Sequence, residues 1–299
     1  MTKDIKVLNF GSLNIDNVYS VPHFVQAKET LASTELNIFC GGKGLNQSVA
    51  LSRAKCDVYH AGAVGKEDGE ILINFLKSSG VNCDYILQKD MKSGHTIIQV
   101  DKRGQNCILL YGGSNKSISK EDVDAIMENF SEGDYCILQN EINQTGYIIK
   151  KAHEKGMVIV LNPSPIDENL LEYDIDLVDY LVLNEVEACG LAGKESTDNY
   201  ELLNIIADKY PNARIVLTLG EEGAIYRYKD TEIKQPIFEV PVVDTTAAGD
   251  TFTGFFIGAI IRGYDEKKAL EIASKASSIA VSRKGAAPSI PLFEEVVGK

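Results

Sequence analysis

Short apolar runs alternate with helix-periodic stretches along most of this chain, and that alternation leaves few folds open. Residues 5–10 read as a first strand, and 42–54 as a helix opened by glycines. Residues 58–64 form a second strand. Residues 69–78 follow as a helix that sets Ile71, Leu72, Phe75 and Leu76 on one face. Further short strands are expected at 135–138, 158–161, 180–183 and 215–219, with helical stretches such as 145–154 and 200–210 between them. Strands this short and apolar are covered on both faces. The expected fold class is therefore α/β, a doubly wound, mostly parallel sheet with helices on both faces. The C-terminal third reads as two helices, 251–262 and 266–281, with Asp265 as the N-cap of the second.

Two stretches break the alternation. Residues 17–40 have no helical period. Residues 93–111 read as strands at 95–100 and 106–111, joined by a turn at Asp101-Lys102-Arg103-Gly104. Together they predict a small β-lid, formed by about 17–40 and 93–113, on a single domain spanning 1–299. No low-complexity tract, Pro/Ser-rich linker or internal repeat divides the chain.

Charge and cysteine usage narrow the function classes. A net charge of −13 argues against a general nucleic-acid binder, which needs a basic face. It leaves room for an anionic nucleotide, because backbone N–H groups at a helix N-terminus hold phosphate inside an acidic protein. No apolar run approaches the roughly 18–20 residues that span a bilayer, so no membrane partner is expected. The opening Met1-Thr2-Lys3-Asp4 has neither the basic start nor the apolar stretch of a secretory signal, and the expected location is cytoplasmic. The six cysteines are scattered without a C-x-x-C pair and read as small buried hydrophobes. The four histidines lack metal-ligand spacing, so no zinc site is expected.

Three segments carry chemistry. The first is Val243-Asp244-Thr245-Thr246-Ala247-Ala248-Gly249-Asp250-Thr251-Phe252-Thr253-Gly254, at the start of an apolar helix. Ala247, Ala248 and Gly249 let a ligand approach the backbone, and their N–H groups with the helix dipole suit charge on a transferring phosphoryl group. Asp250 there can take a proton from an attacking hydroxyl, or can simply cap the helix. The second is Cys40-Gly41-Gly42-Lys43-Gly44-Leu45-Asn46-Gln47, a glycine-rich entry to a helix without the frame of a P-loop. The third is Gly11-Ser12-Leu13-Asn14-Ile15-Asp16 after the first strand. Asn14 and Asp16, two apart, face one side of an extended segment. They suit vicinal hydroxyls, or serve as ordinary turn residues.

Together these segments resemble the two signatures of the ribokinase family of carbohydrate kinases, about 200 residues apart and in the family's order from Gly11 to Pro291. The resemblance implies phosphoryl transfer from ATP, with Mg2+, to a sugar hydroxyl such as O5 of D-ribose, under a closing β-lid. It assigns the catalytic base to Asp250 and the anion hole to Ala247, Ala248 and Gly249. The sugar falls to Asn14, Asp16, Gly42, Lys43, Asn46 and Glu141, and the nucleotide to Asn184, Thr218, Gly220, Gly223 and Gly249. Glu187 falls near magnesium. Asp244, Thr246, Ala280, Arg283, Gly285 and Ser289 match loops that hold K+, and the family's pairing through its lids implies a homodimer. Departures at Ile15, Ser274 and 111–115 leave the exact sugar open; a nucleoside kinase and a non-catalytic sugar sensor of the same fold stand as alternatives, and the intact Asp250 segment argues against the sensor.

Overall fold

Every residue of the strand Lys6–Phe10 after its first is buried, which explains why such strands read as unbroken apolar runs. Val7 enters one hydrophobic cluster and Leu8 the other, so consecutive side chains feed two separate cores. The computed structural model describes residues 5–196 and 198–298. In chain order its elements are β1 (Lys6–Phe10), β2 (Asn14–Ser20), β3 (Glu35–Gly41), α1 (Lys43–Arg53), β4 (Asp57–Gly65), α2 (Glu70–Ser78), β5 (Asn82–Lys89), β6 (Gly94–Val100), β7 (Asn106–Tyr111) and α3 (Lys120–Met127). There follow β8 (Tyr135–Gln139), α4 (Thr145–Glu154), β9 (Val158–Asn162), β10 (Tyr180–Asn184), α5 (Glu185–Ala192), α6 (Asn199–Lys209), β11 (Arg214–Thr218), β12 (Ala224–Tyr228), β13 (Thr231–Gln235), α7 (Ala248–Ile261), α8 (Glu266–Val281) and α9 (Phe293–Val297).

The main sheet runs β13-β12-β11-β10-β9-β8-β1-β4-β5. Its pairings are parallel from β5 through β11, and β12 and β13 join antiparallel at one edge. Residues of α1, α2, α7, α8 and α9 pack into one core, and those of α3, α4, α5 and α6 into the other. The chain leaves β1 for β4 on one side and later returns to β8 on the other. The β1/β8 junction is thus a topological switch point, where ligands of open α/β sheets bind outside the carboxyl ends.

The second sheet runs β3-β2-β6-β7, with β2 and β6 parallel and the outer pairings antiparallel. The hairpin expected at 95–111 is present, with His95 opposite Tyr111 and Val100 opposite Asn106. Asp101 closes its turn by accepting from the N–H groups of Arg103 (2.8 Å) and Gln105 (3.0 Å). Every residue of β7 is exposed, including Ile108, Leu109, Leu110 and Tyr111.

Several expectations shift. β5, β12, β13, α3, α5 and α9 were not expected from the periodicity. The helix expected at 251–262 begins at Ala248, so Asp250 lies inside its first turn. The cysteines are not uniformly buried. Cys136 is, but Cys107 sits on the exposed edge strand β7, which has no neighbour on its outer side among the described residues. Asp265 does cap α8, accepting from the Lys268 N–H at 2.8 Å. No helix among the described residues is long and apolar enough to cross a membrane.

The contact between α1 and α7 depends on missing side chains. A Cβ on Gly254 would lie 2.4 Å from the Cβ of Ala50 and 3.0 Å from backbone atoms of Ala50 and Leu51. Gly254→Ala should therefore force the helices apart and destabilise the protein by about 1–3 kcal/mol, the usual cost of overpacking. Urea unfolding reads this directly, and an unchanged midpoint would show that the two helices are not in such close contact.

Candidate active site

Four adjacent strands of the main sheet, β8 to β11, end in polar side chains at their carboxyl edge. Gln139 closes β8 and Asn162 closes β9, opposite one another in register; Asn184 and Thr218 do the same for β10 and β11. The N-termini of α1 and α7 converge on this edge. Gly44 makes the approach possible, since a Cβ there would lie 2.3–2.6 Å from the backbone of Gly11 and Ser12.

Asp250 does not cap its own helix. The N-cap position is Ala247, with no side-chain cap. The Asp250 carboxylate instead crosses to α1, where Asn46 donates to Oδ2 at 2.9 Å and Gln47 to Oδ1 at 3.0 Å. Burial raises its pKa above the usual carboxylate range; Lys43, Gln47 and Asn46 oppose that rise, and Glu141 adds to it. For Lys43, burial works against the charge, but the carboxylates of Asp250, Glu141 and Glu187 outweigh it and raise the pKa. Lys43 is thus the cation set among these three acids. Glu141 accepts from the backbone N–H of Lys43 at 3.0 Å and from the Ser12 hydroxyl.

β2 carries the next side chains. Asn14 accepts from Asn115 Nδ2 at 2.8 Å, and Asp16 accepts from the Thr96 hydroxyl at 2.6 Å. Desolvation raises the Asp16 pKa, Thr96 opposes the rise and Glu141 adds to it. The carboxylate leans over Gly41, where a Cβ would lie 1.9 Å from Oδ2. Gly42 has φ of 98°, a backbone region that favours glycine.

On the far side, Asn184 and Glu187 form a reciprocal capping box at the start of α5. Asn162 reaches Glu187 Oε2 at 3.2 Å. The Thr218 hydroxyl donates to the Leu183 carbonyl at 3.3 Å, and Gly220 and Gly223 follow with φ of 50° and 95°. At the α7 N-terminus, Gly249 is exposed and a Cβ there would meet nothing within 4 Å. One expectation needs correction. The Ala248 N–H turns back to the Thr245 carbonyl at 3.2 Å, because the chain makes a tight turn into the helix there. Of the three expected anion-hole N–H groups, Ala247 and Gly249 have no such bond among the described residues.

The expected cation loops come together only in part. Asp244 accepts from the N–H of Thr246 and from that of Gly285, both at 3.0 Å, and from the Thr246 hydroxyl. Burial works to raise the Asp244 pKa, but these bonds and Lys284 outweigh it and hold it below the usual carboxylate range. The Ala280 carbonyl accepts from the Arg283 N–H at 3.0 Å. The Arg283 side chain turns away to Glu295 at 2.5 Å. Ser289 is buried and donates to the Ala286 carbonyl at 2.7 Å. Among the described residues no group of three or more His, Cys, Asp or Glu could hold a metal ion.

The motifs did not single out Gln139, Asn162, Asn115 or Thr96. For Gln139 and Asn162 a signal existed, an apolar strand ending in a carboxamide. For Asn115 and Thr96, only the register of the second sheet reveals the role. A separate cavity of about 570 Å³, lined by residues such as Asn143, Thr145, Tyr147 and Tyr173, contains none of the residues that carry this chemistry.

Comparison with known proteins shows the family. The profile of the pfkB family carbohydrate kinases matches residues 4–292, and the chain belongs to that family of phosphotransferases acting on an alcohol group. It is 34% identical over 305 residues to a ribokinase of Staphylococcus aureus, covering 97% of this chain and 98% of that one. It is 33% identical over 303 residues to a deoxyribokinase of Salmonella typhi, covering 98% and 97%. The structure of an Arabidopsis thaliana ribokinase complexed with ribose and ATP superposes with a TM-score of 0.87 at 28% identity, covering 98% and 97% of the two chains.

Proposed function

We propose that this chain is an ATP-dependent ribokinase that transfers the γ-phosphoryl group to O5 of D-ribose, with Asp250 as general base. One observation carries the reading. A buried carboxylate lies in the first turn of α7, next to the exposed Gly249, and both its oxygens are oriented by amides of another helix. The sugar would lie between β2 and the carboxyl edge of the main sheet, gripped by Asn14, Asp16, Gly42, Lys43, Asn46 and Glu141. Asp250 would take the proton of the attacking hydroxyl as its oxygen bonds to the γ-phosphorus. The bond from the γ-phosphorus to the β–γ bridging oxygen would then break, and ADP would leave. The N–H groups of Ala247 and Gly249 would face the charge on the transferring group. Asn184, Thr218, Gly220 and Gly223 would flank the nucleotide. The second sheet would close over the sugar and exclude water.

Two metals accompany the reading. Glu187 would stand near Mg2+, whose chemistry is to neutralise charge on the phosphate oxygens. A K+ ion fits the loops of Asp244, Thr246, Ala280, Arg283, Gly285 and Ser289. They offer a carboxylate, hydroxyls and carbonyls, and the Arg283 side chain is turned outward to Glu295. The exposed apolar β7 also supports a homodimer through the lid.

Steady-state kinetics test the base and the sugar together. Asp250→Asn should cut kcat by about 10²–10⁴-fold while leaving ligand affinity largely intact. Asp16→Ala should raise the KM for sugar far more than that for ATP. D-ribose should surpass 2-deoxyribose, fructose and nucleosides in kcat/KM. Retention of more than about a tenth of kcat in Asp250→Asn would remove the base, and a preference for 2-deoxyribose would favour a deoxyribokinase. Potassium added at constant ionic strength should stimulate turnover in the wild type but not in Asp244→Ala; a flat wild-type response excludes the cation site. Sedimentation at micromolar concentration should give twice the chain mass, and a monomer there excludes the dimer.

A further inference from the structure

Beneath Asp250 lies a chain of buried side chains that the reaction itself does not use. Asn9 donates from Nδ2 to the Gly44 carbonyl and to the Ser48 hydroxyl, both at 2.7 Å. Ser48 lies 2.8 Å from Nδ1 of His60, whose burial pushes its pKa down to about 3 and keeps it neutral. Gln139 donates from Nε2 to Asn9 Oδ1 at 3.0 Å and to Gln47 Oε1 at 2.7 Å. Gln47 in turn donates from Nε2 to Asp250 Oδ1. Asn9, Gln47, Ser48, His60 and Gln139 are all at most 1% exposed.

The direction of this chain is not free. A backbone carbonyl only accepts, so Asn9 must turn its NH2 to Gly44, which leaves its oxygen facing Gln139. Gln139 must then present its NH2 to Asn9, and the same nitrogen serves Gln47. With its oxygen bound there, Gln47 has only its NH2 left, which serves Asp250 and, at a longer 3.5 Å, Asn162 Oδ1. Gln139 uses both amide hydrogens in this way, and its own Oε1 is buried with no hydrogen-bond partner among the described residues. That oxygen lies against Gly11, where a Cβ would approach within 2.4 Å. A buried oxygen left unbonded calls for a reason. The reason here is that the other orientation would turn the oxygen of Gln139 toward two further oxygens.

We propose that Gln139 is a positioning residue for phosphoryl transfer: it locks the amide of Gln47 so that an N–H, never an oxygen, faces Asp250. This rests on Asp250 being the base. Around Asp250 the other groups are Asn46 and Lys43 of α1 and Glu141 after β8, with Glu187 of α5 acting on Lys43. When the lock is lost, Gln47 can turn its oxygen toward the carboxylate. The pKa of Asp250 then rises further and its aim is lost.

The test uses Gln139→Met, which keeps length without donors, and Gln139→Glu, which keeps length and polarity but presents acceptors. Folding is checked by thermal melting. In both variants kcat should fall at least about fivefold, with the KM for sugar and ATP within about twofold of wild type. The acid limb of the kcat–pH profile should move up by at least about half a unit, and further in Gln139→Glu. In parallel, ¹³C NMR of carboxyl-labelled aspartate, with Asp250→Asn to assign the signal, should show Asp250 titrating higher in each variant. Folded variants with wild-type kcat, acid limb and titration overturn the proposal. So does a kcat loss with an unmoved limb and titration, which marks general loosening. If wild type phosphorylates no sugar but the Asp250 signal still titrates higher in the variants, the lock stands and the kinase reading fails.

Discussion

The Asp250 carboxylate is buried where α1 meets α7, and the groups around it are arranged to oppose the cost of a charge there. An isolated buried carboxylate costs so much that it would protonate instead. Here two amide donors and the nearby ammonium of Lys43 oppose the desolvation, though they do not fully cancel it. All three come from the first five residues of α1, so α1 must sit at a fixed depth and angle against α7. The glycines at 44 and 254 provide that approach, the first against the end of β1 and the second against Ala50. Replacing either with a larger residue would move the donors away from the acid they hold.

The same logic accounts for phosphate chemistry in a chain of net charge −13. Net charge acts over long distances and is screened within about 8–10 Å at ordinary ionic strength. What matters at the site is local: Lys43, the exposed start of α7 at Gly249, and N–H groups directed by the helix. The second sheet joins this centre covalently. The chain passes from β1 through Gly11-Ser12-Leu13 straight into β2, so the polar face of Asn14 and Asp16 begins three residues from the main sheet. β3 then returns through Gly41 and Gly42 into α1. Strand, lid and helix therefore meet through two short stretches of backbone, which tie the lid to the helix that holds Asp250.

Much of this was legible beforehand. The strands β1, β4, β8, β9, β10 and β11 announce themselves because each is buried on both faces. The hairpin of β6 and β7 follows from its turn, where Asp101 and Gly104 do what those residue types do in turns. Where local signals conflict, reading failed. β13 carries charged and polar residues because it closes an edge, β12 is buried only over its first three residues, and α5 mixes glutamates with apolar residues so that no face stands out. The ends of helices were misjudged by a few residues where the cap is not a side chain, as at Ala247. Cys107 looked like a core residue and is not, since only pairing reveals which strand is the last in its sheet.

The sequence by itself determined the alternation of elements, the glycine-rich entries to α1 and α7, and the presence of an acid at 250, because these depend on near neighbours and on periodicity. It left two readings of that acid open, a helix cap or a base. Only the tertiary structure decided between a side chain turned back on its own helix and one aimed across the site. The partners of Asp250 lie 204 and 203 positions away, at Asn46 and Gln47. The orientation of Gln47 depends in turn on Gln139 and Asn9, from two neighbouring strands. A hydrogen bond depends on the position and direction of both groups, and groups so distant in the chain acquire these only when the sheet and helices have packed.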